Sequence, residues 1–357
     1  MKLDQIRRRV GQMFVVGFEG TGVDANLKKL IQEYFIGGIV LFERNIESPN
    51  QIAELTNEIQ SLSKTPLFVA VDQEGGKVAR LKKPFTEFGE AAQIAKTNSP
   101  KLAFEAFQAM ARELRAVGIN YNFAPVADLN TNPKNPIIGN RAFGSDPEAV
   151  SKIISGVIRG LQRGGVISCA KHFPGHGDTL LDSHLALPEV THAVERLKAV
   201  EWIPFDRAIR SGVETIMTAH ILNRNIDPDY PATLSKKTLQ YLRKDLRFDR
   251  VIITDALEMK AISDRYMLEE ATLKSVEAGV DLILICQSDD KQASAIEALI
   301  KKVASSEVPM KLIDLASEHI TKLRNKYLVP YQPVDISKID GIVGCAEHQK
   351  IAEQLLA

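Results

Sequence analysis

Eight short apolar runs recur along this 357-residue chain, and no other feature constrains its fold as strongly. Each run ends in glycine, proline or a charged residue, which is typical of a strand buried on both faces of a parallel sheet. The stretches between the runs have the apolar spacing of amphipathic helices. This alternation predicts an α/β protein with a TIM-type (β/α)₈ barrel, and a doubly wound sheet is the alternative. The runs span residues 13–18, 38–42, 67–71, 121–126, 166–170, 215–219, 251–254 and 281–286.

Capping residues mark some of the helices between these runs. Asp146 precedes Pro147, so an N-cap followed by a first-turn proline predicts a helix over 147–163. Ser235 likewise opens a run of good helix formers. After the eighth run too little chain follows for a second domain, so we expect a single catalytic barrel over residues 1–357 with a helical extension at about 305–357. The other predicted helical stretches span 49–62, 87–117 with one break, 193–211, 234–246 and 312–325.

Charge and composition exclude several classes of partner. The 45 basic and 45 acidic residues balance to a formal charge of zero, so we expect no binding to nucleic acid or to an anionic membrane. No apolar stretch reaches the roughly 18 residues of a membrane span, and the N-terminus does not read as a signal peptide. The three cysteines are odd in number and suit free thiols. We therefore expect a cytoplasmic, monomeric protein that acts on a small molecule.

One stretch, CAKHFPGHGDTLLDSH at residues 169–184, contains three histidines, two aspartates and a lysine. Proline and glycines at 174–177 stop a strand or helix from continuing, so Lys171 and His172 are expected where a strand ends. A single histidine here could equally be a core or surface residue. Six ionisable groups beside a glycine-containing backbone, however, make a poor core and indicate a site.

Polar residues also follow other predicted strands, as expected in a barrel, where active-site residues lie at the C-terminal ends of the strands. A single aspartate after an apolar run is often the N-cap of the next helix, and a single arginine or histidine often supports a loop. Their recurrence around the whole ring favours one common site. The residues concerned are Asp72 and Arg80 after the third run, Asp128 and Arg141 after the fourth, His220 after the sixth and Asp255 after the seventh.

Four motifs occur in a characteristic order and spacing: VDQEGG, GNRAFG, KHFPGHGDT followed by DSH, and ITDALEM. Together they resemble the bacterial β-N-acetylhexosaminidases of glycoside hydrolase family 3, the single-domain exo-β-N-acetylglucosaminidases of peptidoglycan recycling. The resemblance extends over essentially the entire barrel. One departure is Lys77, where relatives usually carry arginine, and it puts any guanidinium-specific contact at that position in doubt.

The resemblance implies a retaining hydrolase that removes terminal β-linked N-acetylglucosamine from muropeptides of the GlcNAc-anhydroMurNAc type through a covalent intermediate. It implies Asp255 as nucleophile and His184 as proton donor and acceptor, oriented by Asp182. We expect the DSH loop to close over substrate. No cofactor and no metal are implied. The implied substrate-binding residues are Asp72, Arg80, Arg141, Lys171 and His172.

The residues alone leave other functions open, and they also leave open the roles of His176, Asp178 and His220. A phosphorylase could use phosphate in place of water, because a neutral histidine base repels phosphate less than a carboxylate does. A broader β-glycosidase and a non-catalytic sugar-binding protein are further alternatives. A metal-dependent barrel hydrolase is also possible, although the spacings match no helical metal signature. Its ligands would come from His172, His176, Asp178, Asp182 and His184.

Overall fold

The computed structural model describes residues 3–287 and 290–356, and it contains an eight-stranded parallel barrel. Each strand pairs with the next one along the chain, and the first also pairs with the eighth. A bridge between Ile253 and Leu282 closes the ring between the seventh and eighth strands. This order confirms the predicted barrel and excludes the doubly wound sheet. The strands are β1 (Phe14–Val16), β2 (Gly38–Leu41), β3 (Phe68–Val71), β4 (Tyr121–Asn122), β5 (Ile167–Phe173), β6 (Thr215–Thr218), β7 (Val251–Ile253) and β8 (Ile283–Ile285).

Helices separate the strands along the chain, and two of the predicted caps are present. Asp146 Oδ1 accepts a hydrogen bond of 2.7 Å from the Ala149 N–H, and Ser235 Oγ accepts one of 3.0 Å from the Thr238 N–H. The α-helices are α1 (Leu3–Gly11), α2 (Ala25–Gln32), α3 (Pro49–Ser61), α4 (Ala91–Lys96), α5 (Pro100–Ala116), α6 (Pro147–Arg163), α7 (Val194–Ala199), α8 (Ile203–Arg210), α9 (Lys236–Gln240), α10 (Lys260–Ser263), α11 (Leu268–Ala278), α12 (Asp290–Ala304), α13 (Met310–Leu328) and α14 (Ala346–Leu356).

Short elements complete the described chain. Two small ribbons lie outside the barrel sheet: Gln73–Gly75 pairs with Val78–Ala79, and Glu189–Val190 pairs with Leu222–Asn223. A π-helical turn spans Tyr241–Asp245. The 3₁₀ turns are Glu43–Asn45, Gly139–Arg141, Ala232–Leu234 and Ile336–Gly341.

The strand that carries the histidine-rich stretch is longer than predicted. β5 runs to Phe173, so Lys171 and His172 lie within it, and the prediction that it ends before them is wrong. The extra residues remain strand because neighbouring segments on both sides still pair with them. The Ala127 N–H donates to the Lys171 carbonyl at 2.6 Å, and the Ala219 N–H donates to the Phe173 carbonyl at 2.7 Å.

Two predicted helices also differ from those observed. The stretch 193–211 is divided into α7 and α8, because Val200 leaves helical geometry at φ −134° and ψ −77°. The break lets Trp202 turn into the core, where its ring lies 5.6 Å from that of Phe173. The stretch 234–246 begins as α9 and continues as the π-helical turn.

The C-terminal helices pack on the outside of the barrel. α14 lies against α4 and α5, and a buried carboxylate anchors it: Glu113 Oε1 lies 2.8 Å from His348 Nδ1 and accepts a 3.0 Å hydrogen bond from the Gly344 N–H. The division into one catalytic barrel and a helical extension stays a prediction.

All three cysteines are free thiols, as predicted, and burial raises the pKa of Cys169 to about 12. Among residues 3–287 and 290–356, none of the helices is both long enough and apolar enough to cross a bilayer.

Candidate active site

A cavity of about 640 Å³ opens where the barrel strands end at their C-termini. Seven of the eight predicted site residues line it, namely Asp72, Arg80, Arg141, Lys171, His172, His184 and Asp255. The eighth, Asp182, contacts the ring of His184. The barrel therefore brings together residues that are up to 183 positions apart in the sequence (255 − 72 = 183). Their chemical roles stay predictions.

Four charged side chains form one connected network, and we call them the charged wall: Asp72, Glu74, Arg141 and Lys171. Asp72, Arg141 and Lys171 line the cavity, and Glu74 pairs with two of them. Lys171 Nζ lies 2.7 Å from Asp72 Oδ1 and 2.6 Å from Glu74 Oε1. Arg141 donates two hydrogen bonds to Glu74, from Nε at 2.9 Å and from Nη2 at 2.8 Å. Such bidentate, charge-assisted pairing fixes the positions of all four groups.

Opposite charges keep the wall ionised despite its burial. Burial alone raises the pKa of Glu74, but Lys171 and Arg141 outweigh it and lower this pKa to about 2. Burial alone lowers the pKa of Lys171, but Asp72 and Glu74 outweigh it and raise this pKa above its ordinary value. Glu74 and Lys171 therefore both carry charge at neutral pH.

Sequence reasoning missed Glu74, although a signal was present. Asp72 and Glu74 are two residues apart in an extended segment, so their side chains point to the same side. The ribbon Gln73–Gly75 then turns back through Gly76, whose φ of +57° is in the left-handed region that favours glycine. This turn also returns Arg80 to the cavity.

Arg80 lies beside the charged wall, between Asp72 and the ring of Phe42. Its Nη2 lies 3.5 Å from Asp72 Oδ2, and its guanidinium carbon lies 5.7 Å from the ring centroid of Phe42. The Nε atom is buried and has no hydrogen-bond partner among the described residues. Lys77, the departure from the family motif, is exposed in the turn.

Asp128 orients the two histidines that begin the histidine-rich stretch. It is fully buried, and its Oδ2 lies 2.7 Å from His172 Nδ1 and accepts a 3.1 Å hydrogen bond from the His172 N–H. Its Oδ1 accepts a 2.6 Å hydrogen bond from the His176 N–H. Burial alone raises the pKa of Asp128, but its interactions with the two histidines lower it. Asp128 thus fixes the ring of His172 at the cavity surface.

Asp255 lies just beyond β7 and faces the same cavity. Its Oδ1 accepts a 2.8 Å hydrogen bond from the Ala256 N–H. Burial alone raises the pKa of Asp255, but His220 and His172 outweigh burial and lower it below its ordinary value. The carboxylate is therefore ionised at neutral pH and held by the strand end.

His220 supports this strand end and does not line the cavity. Its Nε2 lies 2.8 Å from the Ala256 carbonyl oxygen, and because a carbonyl only accepts, Nε2 carries a proton. Its Nδ1 lies 2.8 Å from Thr233 Oγ1. Burial lowers the pKa of His220, so its ring is neutral at neutral pH.

The predicted dyad of Asp182 and His184 lies on a loop at the cavity rim, and we call residues 178–192 the rim loop. Asp182 Oδ1 accepts a 2.7 Å hydrogen bond from the His184 N–H and lies 2.9 Å from His184 Nδ1. With the proton on Nδ1, Nε2 is the ring atom left for another group. The side chain of His184 is 63% exposed, in contrast to the charged wall.

The residues named as candidate metal ligands do not form one cluster. Asp178 Oδ2 lies 2.7 Å from His192 Nε2 across the base of the loop, in a contact not aligned as a hydrogen bond. His172 pairs with Asp128, and His184 with Asp182. In the described part of the chain, no group of three or more His, Cys, Asp or Glu side chains is arranged to hold a metal ion.

Comparison with known proteins gives consistent matches. Residues 5–323 match the model described as the glycosyl hydrolase family 3 N-terminal domain. A β-hexosaminidase A from Pseudoalteromonas piscicida is 34% identical, over 94% of this chain and 60% of that protein. A β-hexosaminidase from Methylobacillus flagellatus is 37% identical, over 78% of this chain and 80% of its own length. This chain thus covers less than two thirds of the first relative.

A solved structure extends the match over nearly the whole chain. The glycoside hydrolase family 3 β-N-acetylglucosaminidase from Paenibacillus sp. str. FPU-7 superposes with a TM-score of 0.94 at 40% identity. The superposition covers 98% of this chain and 68% of that one.

Proposed function

The chain belongs to glycosyl hydrolase family 3, and from this premise we propose that it is a retaining exo-β-N-acetylglucosaminidase. The observation that carries the proposal is the ionised Asp255 carboxylate, which faces the same cavity as the charged wall and His184. A retaining glycosidase needs such a nucleophile together with a second group that transfers protons. The choice of sugar is supported by the relatives, which are named β-hexosaminidase and β-N-acetylglucosaminidase.

In the first step, Asp255 attacks the anomeric carbon and forms a glycosyl ester. The electron pair of the breaking glycosidic bond moves to the leaving oxygen, which takes a proton from the imidazolium of His184. Asp182 lies 2.9 Å from Nδ1 of that ring, so it stabilises the charged form and orients Nε2 toward the leaving group.

In the second step, water attacks the anomeric carbon from the face that the leaving group vacated. The neutral His184 ring takes the proton of this water, and the ester bond breaks to restore the Asp255 carboxylate. Two successive displacements retain the β configuration. An imidazole suits both steps because it donates and accepts protons near neutral pH without the burial that a carboxylic acid needs.

The charged wall and Arg80 are proposed to bind the terminal sugar. Asp72 accepts hydrogen bonds from sugar hydroxyls, while Lys171 and the guanidinium group of Arg80 donate them, and charge strengthens each of these bonds. Because the network is already assembled, the sugar meets oriented groups and little reorganisation is needed. The barrel closes the inner side of the cavity, so we expect only a chain end to enter.

We further propose muropeptides of the GlcNAc-anhydroMurNAc type as the substrate and the cytoplasm as the location. The substrate rests on the four motifs that resemble the peptidoglycan-recycling members of the family. The location is supported by the three free thiols, which suit a reducing compartment.

The test is the set of products formed from N-acetylglucosaminyl-anhydromuramic acid, followed by NMR with and without phosphate. We expect free N-acetylglucosamine in both conditions, with the β-anomer formed first. Formation of a sugar 1-phosphate would show that the enzyme is a phosphorylase and not a hydrolase. An initial α-anomer would exclude a retaining mechanism. Loss of activity after exhaustive chelation would support the metal-dependent alternative instead. Equal or greater efficiency on β-glucosides would contradict the proposed sugar specificity.

A further inference from the structure

His176 is a buried residue of the histidine-rich stretch, and all its polar atoms have partners. Its N–H donates to Asp128 Oδ1 at 2.6 Å, and its carbonyl accepts from Asn135 Nδ2 at 2.8 Å. Its ring lies between two hydroxyls, with Nδ1 2.8 Å from Thr179 Oγ1 and Nε2 3.1 Å from Ser183 Oγ. The backbone of His176 is therefore fixed to Asp128, and both nitrogens of its ring contact residues of the rim loop.

The proton positions on this ring follow from its partners. Burial lowers the pKa of His176 to about 4, so the ring is neutral and one nitrogen donates while the other accepts. Thr179 Oγ1 also donates to the His176 carbonyl at 3.1 Å, and having one proton it must accept from Nδ1. Nε2 then accepts the hydroxyl proton of Ser183.

Ser183 lies between the two members of the dyad, so its anchoring sets their position. Its hydroxyl is held by His176, and its carbonyl accepts a 3.1 Å hydrogen bond from the Ala261 N–H. Asp182 and His184 bond to each other on either side of it, while Leu180 and Leu181 project into solvent. The dyad is therefore a small local unit whose connection to the barrel includes the ring of His176.

We infer that His176 is a positioning residue for proton transfer: through Ser183 it holds the Asp182–His184 dyad at the cavity. The same Asp128 carboxylate that fixes His176 also fixes His172, which lines the cavity, so the position of the dyad is set relative to the cavity lining. The inference rests on the proposed function for its catalytic meaning. The contact itself does not depend on that function and is tested separately.

The first test uses two substitutions that divide the ring contacts. The amide group of an asparagine at position 176 reaches about as far as Nδ1, so this variant loses the hydrogen bond to Ser183. The amide group of a glutamine reaches about as far as Nε2, so that variant keeps this hydrogen bond. We expect His176→Asn and Ser183→Ala to lower kcat/KM on disaccharides with poor leaving groups by roughly 10²-fold, the cost of a misplacement of about 1 Å. Activated aryl glycosides need less protonation, so their kcat/KM should fall much less. His176→Gln should retain most activity on both.

A double-mutant cycle separates positioning from a general loss of structure. If His176 acts through His184, His176→Asn should cost little further activity in a His184→Ala background. Additive losses, or equal losses on all substrates together with a lower Tm, would overturn the inference. So would a His176→Asn variant with wild-type kinetics.

A second readout does not depend on activity. Amide hydrogen exchange of residues 180–187 should speed up in His176→Asn and Ser183→Ala, and stay close to wild type in His176→Gln. Unchanged exchange in the first two variants would contradict the anchoring of the loop. If exchange responds as expected while the wild type does not act on N-acetylglucosaminides, the anchor stands and the proposed function fails.

Discussion

The cavity joins two regions of opposite physical character. In the charged wall, the side chains of Glu74 and Lys171 are 4% and 2% exposed and pair at 2.6 Å across segments that are far apart in sequence. On the rim loop, His184 is mostly exposed, and its partner Asp182 is only two residues away. The wall therefore depends on tertiary structure for every contact, whereas the dyad is assembled locally.

This difference matches the two tasks that we propose for the regions. Buried charges are costly unless they are paired, so a wall that binds sugar hydroxyls is stable only when complete. A proton-transfer group must instead let the leaving group enter and depart, which favours an exposed position at the cavity rim. Binding and stability should therefore respond to substitutions in the wall, and leaving-group chemistry to substitutions on the loop.

The largest effect is expected at Asp255, which faces the cavity that the two regions share. Asp255→Ala should lower kcat by roughly 10⁴- to 10⁶-fold, because no other step replaces the covalent bond to the sugar. Folding should be little affected, as measured by thermal unfolding. A fluorinated slow substrate should label this residue in mass spectrometry of digests. Labelling of a different carboxylate would reject the assignment, and Asp249→Ala, an exposed carboxylate away from the cavity, is the matched control.

The loop side of the comparison is tested at His184. His184→Ala should slow substrates with poor leaving groups by roughly 10²- to 10⁴-fold, the range for lost general acid catalysis. Activated aryl glycosides should lose less in the first step, while attack by water slows because the base is gone. The Tm should stay close to that of the wild type. Full activity on disaccharides, or a basic limb of the pH profile that belongs to Glu258, would show that the dyad is not the acid/base.

The wall side is tested at Glu74. Glu74→Gln removes the charge that both Arg141 and Lys171 face, and breaking a buried pair costs about 3–5 kcal/mol of unfolding free energy. We expect this loss in denaturant titrations together with a raised KM, since Lys171 is then held only by its pair with Asp72. A Glu74→Gln variant that has wild-type stability and loses activity only on substrates with poor leaving groups would contradict the distinction between the wall and the loop.

The pH dependence of the unfolding free energy also tests the charged wall, and the expected effect is smaller. The pKa of Glu74 is lowered from 4.5 to about 2 in the folded protein, so its contribution to stability is present above pH 4.5. That contribution is lost as the pH falls through about 2, because the unfolded chain takes up the proton first. Unfolding measured between these pH values should show this slope in the wild type and a weaker slope in Glu74→Gln. Equal slopes in the wild type and in Glu74→Gln would show that Glu74 is not the source of this pH dependence.

The smallest effect is expected on the outer surface of the loop. Leu180 and Leu185 are 66% and 67% exposed, so Leu180→Ser and Leu185→Ser should change the unfolding free energy by no more than about 0.5 kcal/mol. The matched core control is Leu187→Ser, since Leu187 is 7% exposed and packs against Leu222. A large loss in the two exposed variants would mean that the loop is part of the folded core.

Local patterns were sufficient for the strands and for most of the cavity lining. Each of the eight apolar runs overlaps a barrel strand, because a run buried on both faces has to be apolar whatever its neighbours are. The extent of β5 was not predictable in the same way. Whether Lys171 and His172 belong to a strand depends on hydrogen bonds to the residues around 125–127 and 219, which no local pattern specifies.

By itself, the sequence determined the barrel, the location of the cavity at its strand ends and the local pairing of Asp182 with His184, because periodicity, strand-end position and short spacing are local properties. The tertiary structure alone decided that Glu74 holds both Arg141 and Lys171, and that His176 ties the cavity wall to the loop. The Glu74 contacts and the hydrogen bond from the His176 N–H to Asp128 link positions from different strand ends, and whether a buried charge finds its partner depends on how the barrel closes. The physical reason is that pairing energies act through space, over about 3 Å, between groups that the chain itself separates by up to 97 residues (171 − 74 = 97).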